Sequence, residues 1–230
     1  MAGSIDISCE GSKYTSIEIH PWADMVKFAR SGGEANSIAI RIARCNTNRK
    51  KIAICGYHGW HDWYLSANLS SRDNLNNHLA KELNVLGIPK QLKNTVYTFN
   101  YNDFDGLKKL LKKDSEIGII KLEVQRDQKP NRGFLNKIKK LCLDKKLILL
   151  FDECTSGFRE TYGGLHLKYG VNPDIAIFGK ALGNGYAITA ILGTNEMMEK
   201  SNNSFMSSTF WSERIGYVAA LKTLEIAQRN

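Results

Sequence analysis

No run of apolar residues in this 230-residue chain approaches the ~18 that a membrane-crossing helix needs. The first segment, Met1 to His20, is polar and mixed in charge, without the apolar centre of a secretion signal. Cysteine is scarce: Cys9, Cys45, Cys55, Cys142 and Cys154 are an odd number with no close pair. That excludes a disulfide framework and a cysteine-based zinc site, and it fits a reducing cytoplasm. Internal repeats and low-complexity linkers are missing too. Hydrophobic residues at 43% and charged residues at 24% exclude a disordered chain or a coiled coil. A cytoplasmic globular protein, long enough to close a core without staples, is expected.

Positive charge is in excess, with a formal net charge of +9. Much of it lies in Lys108–Lys113 and Lys137–Lys146, beside apolar residues at helical spacing: Leu107, Leu110, Leu111 and Ile138, Leu141, Leu143. These runs read as solvated outer faces of amphipathic helices. No aromatic-interleaved basic stripe accompanies them, so neither nucleic acid nor a membrane is an expected partner.

Strand-like and helix-like segments alternate along the chain. Met25 to Phe28, Lys51 to Gly56, Thr95 to Phe99, Ile117 to Val124, Leu147 to Phe151, Ile175 to Phe178 and Ala187 to Leu192 read as strands. Helical spacing follows Ser31-Gly32-Gly33, and again over Phe104 to Lys113, Gly133 to Lys145 and Ile215 to Ala227. The polar stretch Ser70 to Lys81 reads as helix and loop. The alternation predicts an α/β domain with a mostly parallel sheet and helices on both faces. Ligands of such sheets collect at the carboxyl ends of the strands, which directs attention to the loops after Phe28, Gly56, Phe151 and Phe178.

Asp152 ends the apolar run Leu147–Phe151. A carboxylate there needs a cation, whether a lysine, a metal or a protonated ring nitrogen, unless it caps a helix or forms a structural ion pair. Lys180, between a short strand and Ala181-Leu182-Gly183-Asn184-Gly185, suits a phosphate ligand, an ion-pair partner or an amine nucleophile, which desolvation would activate. A Walker loop is excluded because Asp174 and Ala181 stand where glycine and Ser/Thr are required. A dinucleotide fingerprint fails at Ile188. Ser31-Gly32-Gly33-Glu34 offers backbone amides to an anion at a helix start, or is simply a glycine turn. The rings of Tyr57-His58-Gly59-Trp60-His61 suit a flat ligand. A metal on His58, His61 and Asp62 is not expected, since no further ligand cluster accompanies them; loop packing is the plainer reading of Trp60, His61 and Trp63.

Ser31-Gly32-Gly33-Glu34-Ala35, Gly56-Tyr57-His58-Gly59, Phe151-Asp152-Glu153 through Gly157-Phe158-Arg159, and Phe178-Gly179-Lys180 through Gly185 occur in that order. So do Gly163-Gly164 through Asp174 and Ser208-Thr209-Phe210. The whole, from about Pro21 onward, resembles the class III aminotransferases dependent on pyridoxal phosphate (PLP), most closely their glutamate-1-semialdehyde aminomutase-like members. The resemblance implies the large domain of a type I aminotransferase over residues 21–230, preceded by an N-terminal extension over residues 1–20. It implies transfer or migration of an amino group on a small molecule, by a homodimer.

The resemblance also implies residue roles. Lys180 would hold PLP as a Schiff base and then shuttle protons. Asp152 would pair with the protonated pyridine nitrogen. Gly32 and Gly33 would offer amides to the phosphate, Tyr57 would lie on the ring face, and His58 would support that loop. Glu123 would stand on the substrate side, and Thr209 would reach the phosphate bound in the neighbouring subunit. Gly33 departs from the family's usual Ser or Thr, and Val124 from its proline. Family members are longer at both ends, so the covering N-terminal segment and the small C-terminal domain are expected to be largely missing. A relative that keeps PLP without turnover, acting by binding, is the alternative. A PLP-free phosphate binder is disfavoured here because Asp152 would lack its cation.

Overall fold

Aliphatic strands bury both faces only when helices cover them from either side, and the chain supplies those helices in alternation. The computed structural model describes residues 5–6, 16–78 and 81–229. Its strands are β1 (Ile5–Asp6), β2 (Met25–Ala29), β3 (Lys51–Cys55), β4 (Val96–Thr98), β5 (Ile117–Glu123), β6 (Ile148–Glu153), β7 (Ile175–Phe178) and β8 (Thr189–Gly193). Its α-helices are α1 (Ser16–Ile19), α2 (Gly32–Cys45), α3 (Asp62–Leu65), α4 (Phe104–Lys113), α5 (Phe134–Lys145), α6 (Leu165–Tyr169), α7 (Asn195–Lys200) and α8 (Ile215–Arg229). They build one sheet in the order β1-β2-β8-β7-β6-β5-β3-β4. From β4 through β3, β5 and β6 to β7 the pairing is parallel. The other edge is antiparallel, with β8 against β7 and β2, and β1 against β2.

Helices cover both faces. On one, Ala35, Ile38, Ala39 and Ile42 of α2 pack on Ile54, Ile119, Leu150, Ile177 and Ile191. On the other, Leu107 and Leu111 of α4 and Phe134, Leu135, Ile138 and Leu141 of α5 pack on Ala53, Ile120, Leu122, Leu149 and Phe151. Ala220 and Leu224 of α8 extend that layer over Phe178 and Leu192. The lysines of α4 and α5 are thus an outer face. Leu143 is a correction: it is 65% exposed, because Cys142 takes the inward position one turn after Ile138.

The helix expected within Ser70–Lys81 does not form among its described residues, which run in turns. Asparagine side chains compete there for backbone partners: Asn68 accepts the Leu75 N–H at 3.0 Å, and Asn74 donates to the Ala67 carbonyl at 2.7 Å.

The phase of β5 decides which side chains reach the site. Ile117 pairs with Lys51 but Ile119 pairs with Ile52, so Gly118 is an extra residue, a β-bulge. Ile117 faces the α4–α5 layer and Ile119 the α2 layer, although two residues normally separate side chains of one face. Past the bulge, Ile119, Lys121 and Glu123 alternate regularly on the α2 side. Only glycine fits at the bulge, since a Cβ on Gly118 would lie 2.2 Å from the Arg49 carbonyl oxygen. Gly118→Ala is therefore expected to cost about 1–3 kcal/mol through the forced backbone shift. Urea unfolding measures it, and an unchanged midpoint would show that the loop at Arg49 yields freely.

Candidate active site

The carboxyl ends of β3, β5, β6 and β7 lie side by side, with Glu123 opposite Asp152 and Asp152 opposite Ile177. The chain leaves β3 through Gly56 at φ +111°, and a Cβ there would meet Glu123 Oε2 at 2.6 Å. The Tyr57 N–H then donates to the same carboxylate oxygen at 3.0 Å. Gly59, at φ +96°, brings the loop against the turn that opens α2, where a Cβ would lie 3.1 Å from Gly33 Cα.

At that turn Ser31 caps α2, its Oγ accepting the Glu34 N–H at 3.2 Å, while the Glu34 carboxylate accepts the Arg30 N–H at 2.9 Å. Helix geometry leaves the amides of Gly32 and Gly33 without intrahelical partners, and the helix start favours an anion there. The space a side chain at 33 would use is taken by His61: a Cβ on Gly33 would lie 2.9 Å from its Nε2. The His61 Nδ1 shares a hydrogen bond of 2.6 Å with Ser37 Oγ. His61 therefore does more than pack the loop. Trp63 is buried, whereas Trp60 is 71% exposed and meets the His61 ring edge-on at 4.9 Å between centroids.

Asp152 lies on the α2 face of β6, only 3% exposed. Its Oδ1 accepts the Cys154 N–H at 3.1 Å, and its Oδ2 meets His58 Nδ1 at 2.9 Å. Lys121 Nζ stands 3.6 Å from Oδ2. Burial alone would raise this carboxyl, but Lys121 and His58 outweigh it and hold it well below the ordinary aspartate value. Two polar atoms beside the carboxylate, His58 Nε2 and Lys121 Nζ, are buried without a hydrogen-bond partner. The chain thus brings its own cation to Asp152. That removes the sequence argument against a PLP-free reading, which assumed the carboxylate would lack one. The signal was present as a lone lysine inside the aliphatic strand Ile119-Ile120-Lys121-Leu122.

Glu123 is buried, and burial pushes it above the ordinary glutamate range, opposed by the Tyr57 N–H. Arg126 reaches its Oε2 at 3.5 Å and stands 5.8 Å over the Tyr57 ring. Gly179 follows β7 and lies against Cys154, whose Sγ would lie 3.4 Å from a Cβ at 179 and 3.7 Å from one at Gly32. Cys154 so links the α2 turn to the Lys180 loop. Lys180 has a left-handed backbone, φ +44°, a strained conformation for a non-glycine residue. Its Nζ donates to Thr155 Oγ1 at 2.7 Å and is exposed, against the desolvation expected of it. Thr209 is also exposed. Its segment is fastened near the end of β2, by Trp211 Nε1 on the Phe28 carbonyl at 2.6 Å and by Arg30 on Glu213 at 3.2 Å.

Glu153, next to Asp152, points to the opposite face and serves the fold. It accepts Ser156 Oγ at 2.8 Å and the Leu165 and His166 amides at 2.7 and 3.0 Å. His166 Nδ1 meets it at 2.5 Å, and Trp22 donates to His166 Nε2 at 2.9 Å.

The model of the class-III aminotransferase family matches residues 11–230. A 3-aminobutyryl-CoA aminotransferase of Cloacimonas acidaminovorans is 39% identical over 93% of this chain and 49% of its own length. A glutamate-1-semialdehyde 2,1-aminomutase of Sulfolobus acidocaldarius is 33% identical over 91% of this chain and 51% of its own. The chain spans about half the length of the curated relatives it matches. Among solved structures, an omega-transaminase from Sphaerobacter thermophilus superposes with a TM-score of 0.79 at 26% identity, over 92% of this chain and 51% of that one. A PLP-bound protein of Sphingopyxis sp. MTA144 gives 0.80 at 25% identity, over 100% and 53%.

Two tests follow from the geometry. Gly33→Ser should destabilise the chain by about 1–3 kcal/mol by displacing His61. The cost should shrink in a His61→Ala background, and equal costs in both would contradict the contact. The second test is acid lability. Burial and Lys121 lower His58 from 6.5 to about 4, and burial lowers His78 likewise to about 4. His78 Nδ1 accepts the Gly56 N–H at 3.0 Å, which an imidazolium cannot do. Both rings stay neutral in the fold and gain protons on unfolding as pH falls from about 6.5 to about 4. Stability present above that window is lost through it. Urea unfolding near pH 7.5 and near pH 5 should show the drop, smaller in His78→Gln; equal drops would refute the role of His78.

Proposed function

The chain belongs to the class-III aminotransferase family, and from that premise we propose that its site carries out PLP-dependent transfer or migration of an amino group on a small molecule. The observation that carries the reading is the Asp152 carboxylate, buried at the same sheet edge as the free-ended amides of Gly32 and Gly33. The residues fit the cofactor. The glycine turn admits a phosphate close to backbone, Asp152 has acceptor capacity beyond its present partners, and the amine of Lys180 is accessible. PLP supplies an electron-accepting ring that stabilises negative charge at the carbon bearing the amino group.

The chain's own residues do the rest. Asp152 holds positive charge at the ring nitrogen, with His58 fixing the carboxylate through Nδ1. Tyr57, its backbone anchored on Glu123, would supply the ring that packs on the cofactor. Lys180 Nζ, held on Thr155 Oγ1 in the free chain, would take and return the proton at the reacting carbon. Glu123 stands on the substrate side, with Arg126 beside it. The relatives are named for different substrates, so amino donors and acceptors in general are the substrate class proposed for this chain.

Residues 21–230 act as the PLP-binding large domain in this reading, with 1–20 as an extension. Residues Lys180 and Thr209, both exposed in one chain, would be covered in a homodimer, each Thr209 reaching the partner's phosphate. A cytoplasmic location agrees with the free thiols of Cys45, Cys55, Cys142 and Cys154.

Borohydride reduction in the presence of PLP, followed by peptide mapping, should fix the label on Lys180. A label on another lysine alone would overturn the assignment. Asp152→Asn by itself strands Lys121 in the core, and is expected to cost about 3–5 kcal/mol. The pair Asp152→Asn, Lys121→Met removes both partners; it should fold and bind PLP yet lose amino transfer at least about a hundredfold. Parental turnover in that pair would make Asp152 structural. Light scattering during a PLP titration tests the dimer, and a monomer that binds PLP tightly contradicts it.

A further inference from the structure

Lys121 occupies the middle of β5, where the cross-strand row reads Ile54, Lys121, Leu150, Ile175. Its neighbours in that row are aliphatic, and the lysine is 0% exposed. Packing alone calls for another aliphatic side chain, because an ammonium in this layer has to give up its water. Among the described residues Nζ has no hydrogen-bond partner, and its ion-pair contact is Asp152 Oδ2 at 3.6 Å, with Glu123 a further anion whose charge acts on it. The other carboxylate of this edge, Glu123, is engaged by the Tyr57 N–H and by Arg126.

Resting on the function proposed above, we propose that Lys121 is a positioning residue that shares the Asp152 carboxylate with the cofactor's ring nitrogen, and so sets how firmly that nitrogen keeps its proton. Lys121, Asp152 and a neutral His58 together carry no net charge. A protonated ring nitrogen brought to the same carboxylate leaves one buried anion facing two cations. Either Lys121 or the ring nitrogen must then hold its proton less firmly. In the cofactor-free chain Lys121 is the charged partner of the carboxylate and, with the His58 Nδ1 and Cys154 N–H hydrogen bonds, keeps Asp152 ionised and in place.

The test compares PLP with its carbocyclic analogue, in which a carbon replaces the ring nitrogen. Both are titrated into the parent, Lys121→Met and Lys121→Arg. The preference for PLP over the analogue should rise about tenfold in Lys121→Met, where the ring nitrogen is the remaining cation. It should stay near the parental value in Lys121→Arg, which keeps the charge. Thermal melting should show a lower midpoint for cofactor-free Lys121→Met and a larger gain on adding PLP than in the parent. A ring-nitrogen NMR shift from isotopically labelled PLP should move towards the protonated form in Lys121→Met. An unchanged preference and an equal PLP gain would mean that Lys121 serves only the fold, and would overturn this proposal alone. Failure of the parent to bind PLP would overturn the proposed function and this inference with it. Should Lys121→Met fail to fold even with PLP, a preference in Lys121→Arg unlike the parent's would likewise refute sharing by charge.

Discussion

The carboxylate of Asp152 is enclosed in the layer between the sheet and α2, and a negative charge there is tenable only while donors and cations face it. Those partners come from three stretches of chain. His58 arrives on the loop after β3, Lys121 on β5, and the Cys154 amide from the end of β6 itself. Satisfying one charge therefore ties together three adjacent parallel strands, β3, β5 and β6. The same enclosure that makes the carboxylate demanding also keeps its field strong, because little water is present to screen it.

Delivering those partners depends on a few backbone devices. The bulge at Gly118 resets the alternation of β5, so that Lys121 and Glu123 share the face of Asp152. Gly56 and Gly59, both at positive φ, fold the loop after β3 back over Glu123 and against the α2 turn. Alternation also separates two neighbouring acids. Asp152 turns to the α2 side, while Glu153 turns to α6 and binds His166, which in turn accepts from Trp22 ahead of β2. Burial would raise Glu153, but His166 holds it below the ordinary glutamate value. One residue thus meets the site while its neighbour fastens the segment at Trp22, ahead of β2, to the sheet.

Much of the fold was legible in the sequence because its signals are local. Aliphatic runs such as Leu147–Phe151, amphipathic spacing such as Leu107 with Leu111, and the Ser31–Glu34 cap each specify their element within a few residues. Their alternation then leaves an α/β sheet with helices on both faces. The places of Asp152, Lys180 and the Gly32–Gly33 turn in the fold were legible as well, since each sits at a strand end or a helix start. Where the local signal was mixed, as in the asparagine-rich Ser70–Lys81, side chains captured the backbone and no helix formed among the described residues.

Tertiary structure decided what no local pattern encodes. Which cation meets Asp152 depends on the register of β5 against β6, fixed by a bulge that in sequence is one glycine among isoleucines. That His61 fills the space beside Gly33 depends on how a loop after one strand lies on the turn after another. That Lys180 and Thr209 remain open to solvent depends on the outline of the whole folded chain. Periodicity reports which face a residue takes relative to its own element. The partner waiting on that face is set by chain crossings and register, and these exist only once the sheet has assembled.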